Sequence, residues 1–188
     1  MKIEYKFCDG LIELMKKTPL DQINVVMLSD HIGSNRQTFY YHFRDIGDVI
    51  DSILYQDKKI YLTKIFDFEQ IIKPIVAYTN SNYQFLRAIT LSFASDRLLS
   101  FYSAYFYKQI NIYLRQNKFD KEIGQISTRH ICRYLSTIFA KEMFNWVNEK
   151  QEESQKILVQ RLRVIWNYFI KQYYSDLRGT RWLILNIR

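Results

Sequence analysis

The chain is poor in the residues that make tight turns, with five glycines and two prolines among 188 residues. Globular proteins usually contain about 12% of these two residue types together. A many-stranded sandwich or barrel needs a turn between each pair of strands, and Gly and Pro suit those turns best. We therefore expect an all-α protein, and no segment keeps the alternation of apolar and polar residues that is typical of a strand.

The overall composition excludes several protein classes. Apolar residues make up 48% of the chain and charged residues 24%, which is ordinary for a protein with a buried core. No uninterrupted apolar run approaches the roughly 18 residues of a membrane-spanning helix, so we expect a cytoplasmic protein with no membrane partner. Cys8 and Cys132 have no disulfide or metal-ligand spacing, and we expect both to be buried, reduced thiols.

The net charge of +8 is unevenly distributed along the chain. Residues 1–50 hold six Lys/Arg and seven Asp/Glu, a net charge of −1, whereas residues 51–188 carry +9. A positive field attracts anionic partners but does not locate the surface that contacts them. Most of these cations also fit the solvated faces of helices, so charge alone does not identify a partner.

The first part of the chain has the pattern of short, separately capped helices. Asn24 can cap one of them, and Ser34 or Asn35 another, because their side-chain oxygens accept from backbone N–H groups of the first turn. Gly33 lies between these two helices, where a positive φ costs little. The apolar spacing predicts helices over residues 3–17, 25–32 and 36–41 and a fourth that begins near residue 49.

Five further segments have helical spacing, over residues 68–79, 82–94, 95–117, 123–148 and 154–175. We expect Pro74 and the polar runs 80–82, 117–118 and 148–154 to separate elements. The last segment carries an unusually broad apolar band, formed by Leu158, Leu162, Ile165, Phe169 and Tyr173 and widened by Ile157, Trp166 and Ile170. Large apolar patches are uncommon on monomers, so this band predicts a homodimer.

Aromatic residues cluster in the segment 95–117, at Phe101, Tyr102, Tyr105, Phe106, Tyr107 and Tyr113. Their spacing leaves two interpretations open: packing in the core, or the walls of a pocket for a small molecule. The end of the chain, residues 178–188, follows a glycine that can end a helix, Gly179, and has a short apolar, β-prone run. We assign no role to this tail.

Two short helices joined through Gly33 and preceded by a supporting helix have the lengths of a helix-turn-helix, whose second helix enters the major groove of DNA. Many small helical bundles share that pattern. The residues themselves are more specific, and they form two strings, Thr18-Pro19-Leu20-Asp21-Gln22-Ile23-Asn24-Val25 and Gly33-Ser34-Asn35-Arg36-Gln37-Thr38-Phe39-Tyr40-Tyr41-His42-Phe43. Together they resemble the DNA-binding domain of TetR-family transcription regulators, most closely the dihydroxyacetone-kinase regulator branch.

The resemblance implies an architecture for the whole chain, although the strong match covers only about residues 11–55. It implies a helix-turn-helix DNA-binding domain over residues 1–46 and a helical bundle for dimerisation and effector binding over 47–177, followed by the 178–188 tail. The partners that it implies are double-stranded DNA, a second copy of the chain and an unidentified small-molecule effector. The chain departs from the family at Ile46, where a lysine that contacts phosphate is common.

The chemistry of the third helix agrees with DNA reading. Arg36 can pair with guanine, Gln37 with adenine, and Thr38 can meet a thymine methyl group or a phosphate. These three are the predicted sequence readers. The other predicted contacts position the helix on the DNA backbone, and they are Asn24, Asn35, Tyr40, Tyr41, His42 and Arg44. Phe39 and Phe43 lie four residues apart on the opposite face and are predicted core residues, whereas His42 has the alternative interpretation of a paired surface histidine.

The sequence thus predicts a dimeric regulator that binds a palindromic operator and responds to an effector. The resemblance favours a repressor, but the residues do not separate a repressor from an activator, because the sign depends on where the operator lies relative to the promoter. A second interpretation is a co-regulator of the same fold that acts through a protein or small-molecule partner, which the net charge of residues 1–50 and Ile46 favour. We expect neither an enzyme nor a cofactor, because the chain has no Gly-rich phosphate loop, nucleophile elbow or paired carboxylates. A metal site is not expected either, since His31 and His130 lack partners at ligand spacing.

Overall fold

The computed structural model describes residues 2–57, 60–118, 125–149 and 153–185, and for residues 125–127 and 171–185 it describes the backbone alone. Every regular element of this part of the chain is helical, which confirms the expected all-α class. The helices are α1 Ile3–Met15, α2 Val25–His31, α3 Arg36–His42, α4 Ile46–Gln56, α5 Phe68–Ser81, α6 Tyr83–Thr90, α7 Ser95–Gln116, α8 Gln125–Asn148 and α9 Gln155–Leu185.

Three aromatic rings hold α1 and α3 together. Phe7 on α1 meets Phe39 on α3 at a centroid distance of 5.2 Å and Phe43 at 6.0 Å, both edge to face. Each such pair contributes about 0.5–1.5 kcal/mol beyond the apolar area that it buries. All three rings are buried, and this small core fixes α3 against α1.

Helix α4 joins this N-terminal group of helices to the rest of the molecule. It packs against α1 and also against α7, and Tyr55 near its end meets Phe101 on α7 at 5.4 Å. A second link lies nearby, where the backbone N–H of Phe93 donates to Oδ1 of Asp21 over 2.9 Å. The start of α7 is therefore tied to the N-terminal helices at two places.

The aromatic cluster of α7 lies in the core of the second group of helices. Phe101, Tyr102, Tyr105 and Phe106 are fully buried. The Tyr102 hydroxyl lies 3.0 Å from Oγ1 of Thr79, and the Tyr105 hydroxyl donates to the Ile71 carbonyl oxygen over 2.8 Å. A buried hydroxyl is costly unless it is hydrogen-bonded, and both are. For these four residues the core interpretation is confirmed.

Pro74 does not separate two elements as predicted, because α5 runs through it. A proline within a helix removes one backbone hydrogen bond and costs about 3 kcal/mol. Here Ile71, Ile72, Ile75 and Val76 are all buried around it. Burial of each such side chain contributes about 1.5–3 kcal/mol, which outweighs the loss.

Other predicted helix boundaries were also wrong. Helix α4 begins at Ile46 and not near residue 49, because Asp45 caps it. Helix α6 ends at Thr90 and not at residue 94, since the side chains of Thr90 and Ser92 bond back to the carbonyls of Arg87 and Ile89 and so compete with further helical turns. At the other end of the chain, α9 passes through Gly179 and continues to Leu185.

A single glycine costs a helix only about 1 kcal/mol relative to alanine, so Gly179 does not have to end α9. The predicted contribution of Tyr173 lies outside the described side chains, and residues 186–188 lie outside the described chain. Among the residues that the structure describes, no helix, α9 included, has a stretch that is long and apolar enough to cross a membrane.

Both cysteines are free and buried, as predicted, Cys8 in α1 and Cys132 in α8. Burial raises the pKa of each thiol, because the charged thiolate loses its hydration. For Cys8 the pKa lies above the ordinary value, and for Cys132 burial raises the pKa to about 11. Both sulfurs are therefore protonated at neutral pH.

Candidate nucleic-acid interface

The turn between α2 and α3 is held by hydrogen bonds and a backbone conformation that involve only neighbouring residues. Oδ1 of Asn24 accepts from the N–H of Met27 over 3.0 Å and caps α2. Gly33 then takes a φ of +66°, a conformation that side chains with a Cβ rarely adopt. The next N–H, of Ser34, donates back to the Ser29 carbonyl over 2.9 Å, so the chain reverses at once into α3.

Asn35, and not Ser34, caps α3. Its Oδ1 accepts from the backbone N–H of Thr38 over 2.8 Å and from the Thr38 hydroxyl over 3.0 Å. The cap fixes the first residue of the helix as Arg36, which places Arg36 and Gln37 in its first turn. The hydroxyl proton of Thr38 is used by the cap, so this half-buried side chain can offer a base its methyl group or an acceptor.

Helix α3 has two sharply different faces. Phe39 and Phe43 are buried in the N-terminal core, which confirms the prediction for both. Arg36 and Gln37 are exposed, and so is Tyr41, of whose surface 84% is open to solvent. Tyr and Arg side chains that are exposed on one helix can both contact nucleic acid.

Tyr40 and His42 lie at the edges of this exposed face. Tyr40 is 60% exposed, and its ring stands edge-on to Phe39 at 5.5 Å. His42 is half-buried, and its Nδ1 lies 3.2 Å from Oε1 of Glu4 on α1. The histidine therefore has a partner within the protein, in agreement with the alternative interpretation of this residue.

Arg44, directly after α3, is bound to a carboxylate of α4. Its Nε and Nη2 donate to the two oxygens of Asp48 over 2.8 and 2.9 Å, and its backbone N–H donates to the same carboxylate over 3.0 Å. These hydrogen bonds hold the pKa of Asp48 below its ordinary value of 3.8. The guanidinium is well exposed, so it can exchange this partner for a phosphate at the surface.

Comparison with known proteins agrees with this arrangement of helices. The solved structure of the dihydroxyacetone kinase operon activator DhaS is similar over 93% of this chain and 96% of its own, with a TM-score of 0.56 and 16% sequence identity. The chain therefore shares the all-helical fold of that protein. At so low an identity the likeness concerns the fold alone, and it says that this all-helical arrangement is one that a named regulator of transcription uses.

The sequence comparisons add little to the fold. No family model matches the chain. Among curated proteins, uncharacterized protein L702 of Acanthamoeba polyphaga mimivirus is 26% identical over 202 residues, an alignment that covers 89% of this chain and 26% of the viral protein. The chain spans about a quarter of the length of that curated relative.

Sequence reasoning missed the group of charges beside this interface. Asp45, Asp48 and Asp51 lie along one side of α4, and the guanidinium of Arg97 from α7 reaches all three carboxylates. The spacing of the aspartates is visible in the sequence, and Asp45 is readable as a helix cap. Their cation stands 46 or more positions further along the chain, and no local pattern indicates it.

Proposed function

We propose that the protein is a DNA-binding regulator of transcription, and that α3 enters the major groove of its operator. The observation that carries the proposal is the first turn of α3, where Arg36 and Gln37 are exposed to solvent while Phe39 and Phe43 are buried. Arginine and glutamine are the side chains that read guanine and adenine in the major groove. The TetR-like fold of the chain supports the same interpretation.

The predicted roles follow from the position of each side chain on this surface. Arg36, Gln37 and Thr38 are the sequence readers. The other predicted DNA contacts hold the helix in register against phosphates and comprise Asn24, Asn35, Tyr40, Tyr41, His42 and Arg44. In this proposal residues 1–46 form the DNA-binding domain and residues 47–177 the domain for dimerisation and effector binding.

We further propose that the protein acts as a homodimer. Ile157, Val164 and Tyr168 are each more than half exposed, and their spacing of seven and four residues puts them on one face of α9. Association of two copies would bury this apolar face. Dimerisation would also aid DNA binding, because residues 1–50 have a net charge of −1 and a single domain attracts DNA weakly. Two linked domains multiply their contacts on half-sites about one helical turn apart or a small multiple of that.

Sedimentation tests the dimer. At micromolar concentration we expect the full chain to sediment as a dimer and Val164→Glu as a monomer, because the variant places a charge within the apolar face. Leu91→Glu makes a similar change at an exposed residue outside α9 and should leave the dimer intact. A wild-type protein that sediments only as a monomer would remove this part of the proposal.

A mobility-shift titration against the DNA upstream of its own gene tests operator binding. Arg36→Ala and Gln37→Ala should each reduce the free energy that separates the preferred base from the wrong one by about 1–3 kcal/mol. Arg133→Ala removes an equal charge from an exposed site on α8 and is the matched control, with affinity close to that of wild type. Unchanged base preference in both α3 variants would contradict the assignment.

An effector would act by a shift of population between two separations of the recognition helices. A molecule that binds one separation better changes operator affinity by the ratio of its affinities for the two states. The sequence resemblance implies a repressor, whereas the structural neighbour is named an activator. Transcript levels of the neighbouring genes, with and without the protein, decide the sign.

A co-regulator of the same fold is the second candidate, and two contacts favour it. Arg44 is bound by Asp48, and His42 by Glu4, so two of the predicted phosphate contacts already have carboxylate partners. Such a protein would retain no duplex at low salt and would form a stable complex with another protein. The same titration, repeated at low salt, therefore separates the two candidates.

A further inference from the structure

The strongest unassigned feature is the ion-pair group at the junction between α4 and α7. Arg97 lies in the first turn of α7, and its guanidinium reaches across to α4. It pairs directly with Asp51, and its nitrogens lie 3.8 Å from Asp45 and 4.0 Å from Asp48. One arginine thus contacts three carboxylates, the N-cap Asp45 and two aspartates of α4, the helix that joins the N-terminal helices to the rest of the molecule.

The backbone of α4 is shaped to receive this arginine. Gly47 is the second residue of α4, and a Cβ built there would lie 2.5 Å from Cζ of Arg97. That separation is much shorter than a van der Waals contact, so the guanidinium occupies the space that any other residue at position 47 would fill. The notch at Gly47 is an observation independent of the charges, and it fits the same arginine.

Asp48 connects Arg97 with the DNA-binding surface. Its carboxylate accepts hydrogen bonds from Nε and Nη2 of Arg44 over 2.8 and 2.9 Å. Nη1 of Arg97 lies 4.0 Å from the same carboxylate. If the Arg44 side chain turns to a phosphate, Asp48 loses both guanidinium hydrogen bonds and keeps only the one from the Arg44 backbone N–H, beside an anionic duplex. Arg97 is the cation in place to compensate for that charge, since the attraction of opposite charges grows as they approach.

We propose that Arg97 is a positioning residue for DNA binding: it holds the start of α4 and takes over Asp48 when Arg44 turns to a phosphate. This inference rests on the proposed function. In this proposal the contact of Arg97 with α4 and the contact of Arg44 with DNA are thermodynamically coupled, because both depend on Asp48. A change in the second half of the molecule that moves the start of α7 then alters operator affinity without touching α3.

The test is a double-mutant cycle on duplex affinity with Arg44→Ala, Arg97→Gln and the double variant. Each single variant should weaken binding about 5- to 10-fold, and the double variant no more than either single one, because both remove the same phosphate contact. Additive losses would overturn the proposal, and they would indicate that Arg97 contacts DNA by itself.

The salt dependence gives a second readout, which a merely structural arginine would not move. Loss of one phosphate contact lowers the slope of log affinity against log salt by about one. Arg97→Gln should therefore lower the slope as much as Arg44→Ala does, whereas Arg97→Lys, which keeps a cation beside Asp48, should retain most of it. An unchanged slope in Arg97→Gln would count against the proposal.

Two further variants distinguish a loss of the Arg97 contact from a general loss of folding. Gly47→Ala pushes the guanidinium away while it favours the helix, so it should weaken binding in the same direction as Arg97→Gln without lowering the melting temperature. Arg87→Gln removes an arginine that bonds only to Thr90 and Asn148 among the described contacts, and it should change affinity less than 2-fold. Full affinity in Gly47→Ala would overturn the proposal.

A measurement on the free protein separates this inference from the proposed function. Without Arg97, Asp48 has Arg44 as its main cation, so the Nε–H of Arg44 should exchange with solvent more slowly in Arg97→Gln than in wild type. The signal is assigned by its loss in Arg44→Ala. If wild type retains no duplex but this exchange responds, the proposed function fails and the sharing of Asp48 stands. If the exchange does not respond, the inference fails whatever the DNA result.

Discussion

Tyrosines of α3 and α7 lie in opposite environments although both helices are rich in aromatic residues. On α7, Tyr102 and Tyr105 are fully buried, and their hydroxyls are bonded to Thr79 and to a backbone carbonyl. On α3, Tyr40 and Tyr41 are exposed. A helix that only needed to pack would bury such rings, because each covers a large apolar area. The comparison shows that Tyr102 and Tyr105 of α7 contribute to the core, whereas Tyr40 and Tyr41 of α3 leave their rings open to solvent, where the proposed contact with DNA would use them.

Deletion of one ring from each helix should give the largest contrast. Tyr105→Ala should lower the free energy of unfolding by about 3 kcal/mol or more, since it opens a cavity in the core. Tyr41→Ala should change it by less than about 0.5 kcal/mol, as is usual for surface substitutions. Urea unfolding of the two variants measures both values. A large destabilisation by Tyr41→Ala would show that its ring is structural after all.

Substitution of Asn35, the N-cap of α3, tests the proposed role of this helix in DNA contact. Asn35→Ala should destabilise the protein by about 1 kcal/mol, because the N–H of Thr38 loses its acceptor. Operator affinity should fall as well, since Arg36 and Gln37 lie in the turn that the cap fixes. Asn35→Asp keeps the acceptor and suits the helix N-terminus, so it should retain stability and yet bind DNA less tightly. Thermal unfolding and mobility shift together check this pair.

Removal of single hydroxyls should produce a smaller but cleaner contrast. Tyr105→Phe should cost about 0.5 to 1 kcal/mol of unfolding free energy, because one buried hydrogen bond is lost. Tyr41→Phe should leave stability unchanged and weaken operator binding if its hydroxyl contacts a phosphate. The outcome that breaks the comparison is a Tyr41→Phe variant with full affinity and a Tyr105→Phe variant with full stability.

The smallest expected effect concerns pH. Hydrogen bonds from Arg44 lower the pKa of Asp48 in the folded protein, so its contribution to stability is present above the pKa of the unfolded chain. That contribution is lost as the pH falls through the lower folded value. The unfolding free energy of wild type should therefore fall more steeply between about pH 5 and 2 than that of Asp48→Asn. Parallel curves for the two proteins would contradict this.

The parts of the fold that were predictable from sequence are those set by neighbouring residues. Asn24 and Asn35 cap their helices through N–H groups three residues further on, and Gly33 takes the positive φ expected of it. Such contacts depend on local geometry alone. The burial of Phe39 and Phe43 was predictable for a similar reason, since helical spacing decides which face they share.

The parts that could not be predicted depend on residues far apart in the chain. His42 meets Glu4 and Arg97 meets Asp51 only because helices cross in space. Packing also overrides local preference at Pro74, where buried neighbours keep α5 intact. Which of the predicted DNA contacts touch a duplex stays a prediction, and the proposed variants address it.

The two buried cysteines allow local opening of the protein to be measured by chemical labelling. A protonated, inaccessible sulfur does not react with an alkylating reagent, so each cysteine is modified only when the structure around it opens. Cys8 lies in α1, where its side chain meets Ser52 of α4, and Cys132 lies in α8. The separate alkylation rates of Cys8 and Cys132 would report how often the structure opens around each cysteine. An operator duplex that slowed the labelling of Cys8 alone would show that the duplex binds the N-terminal helices.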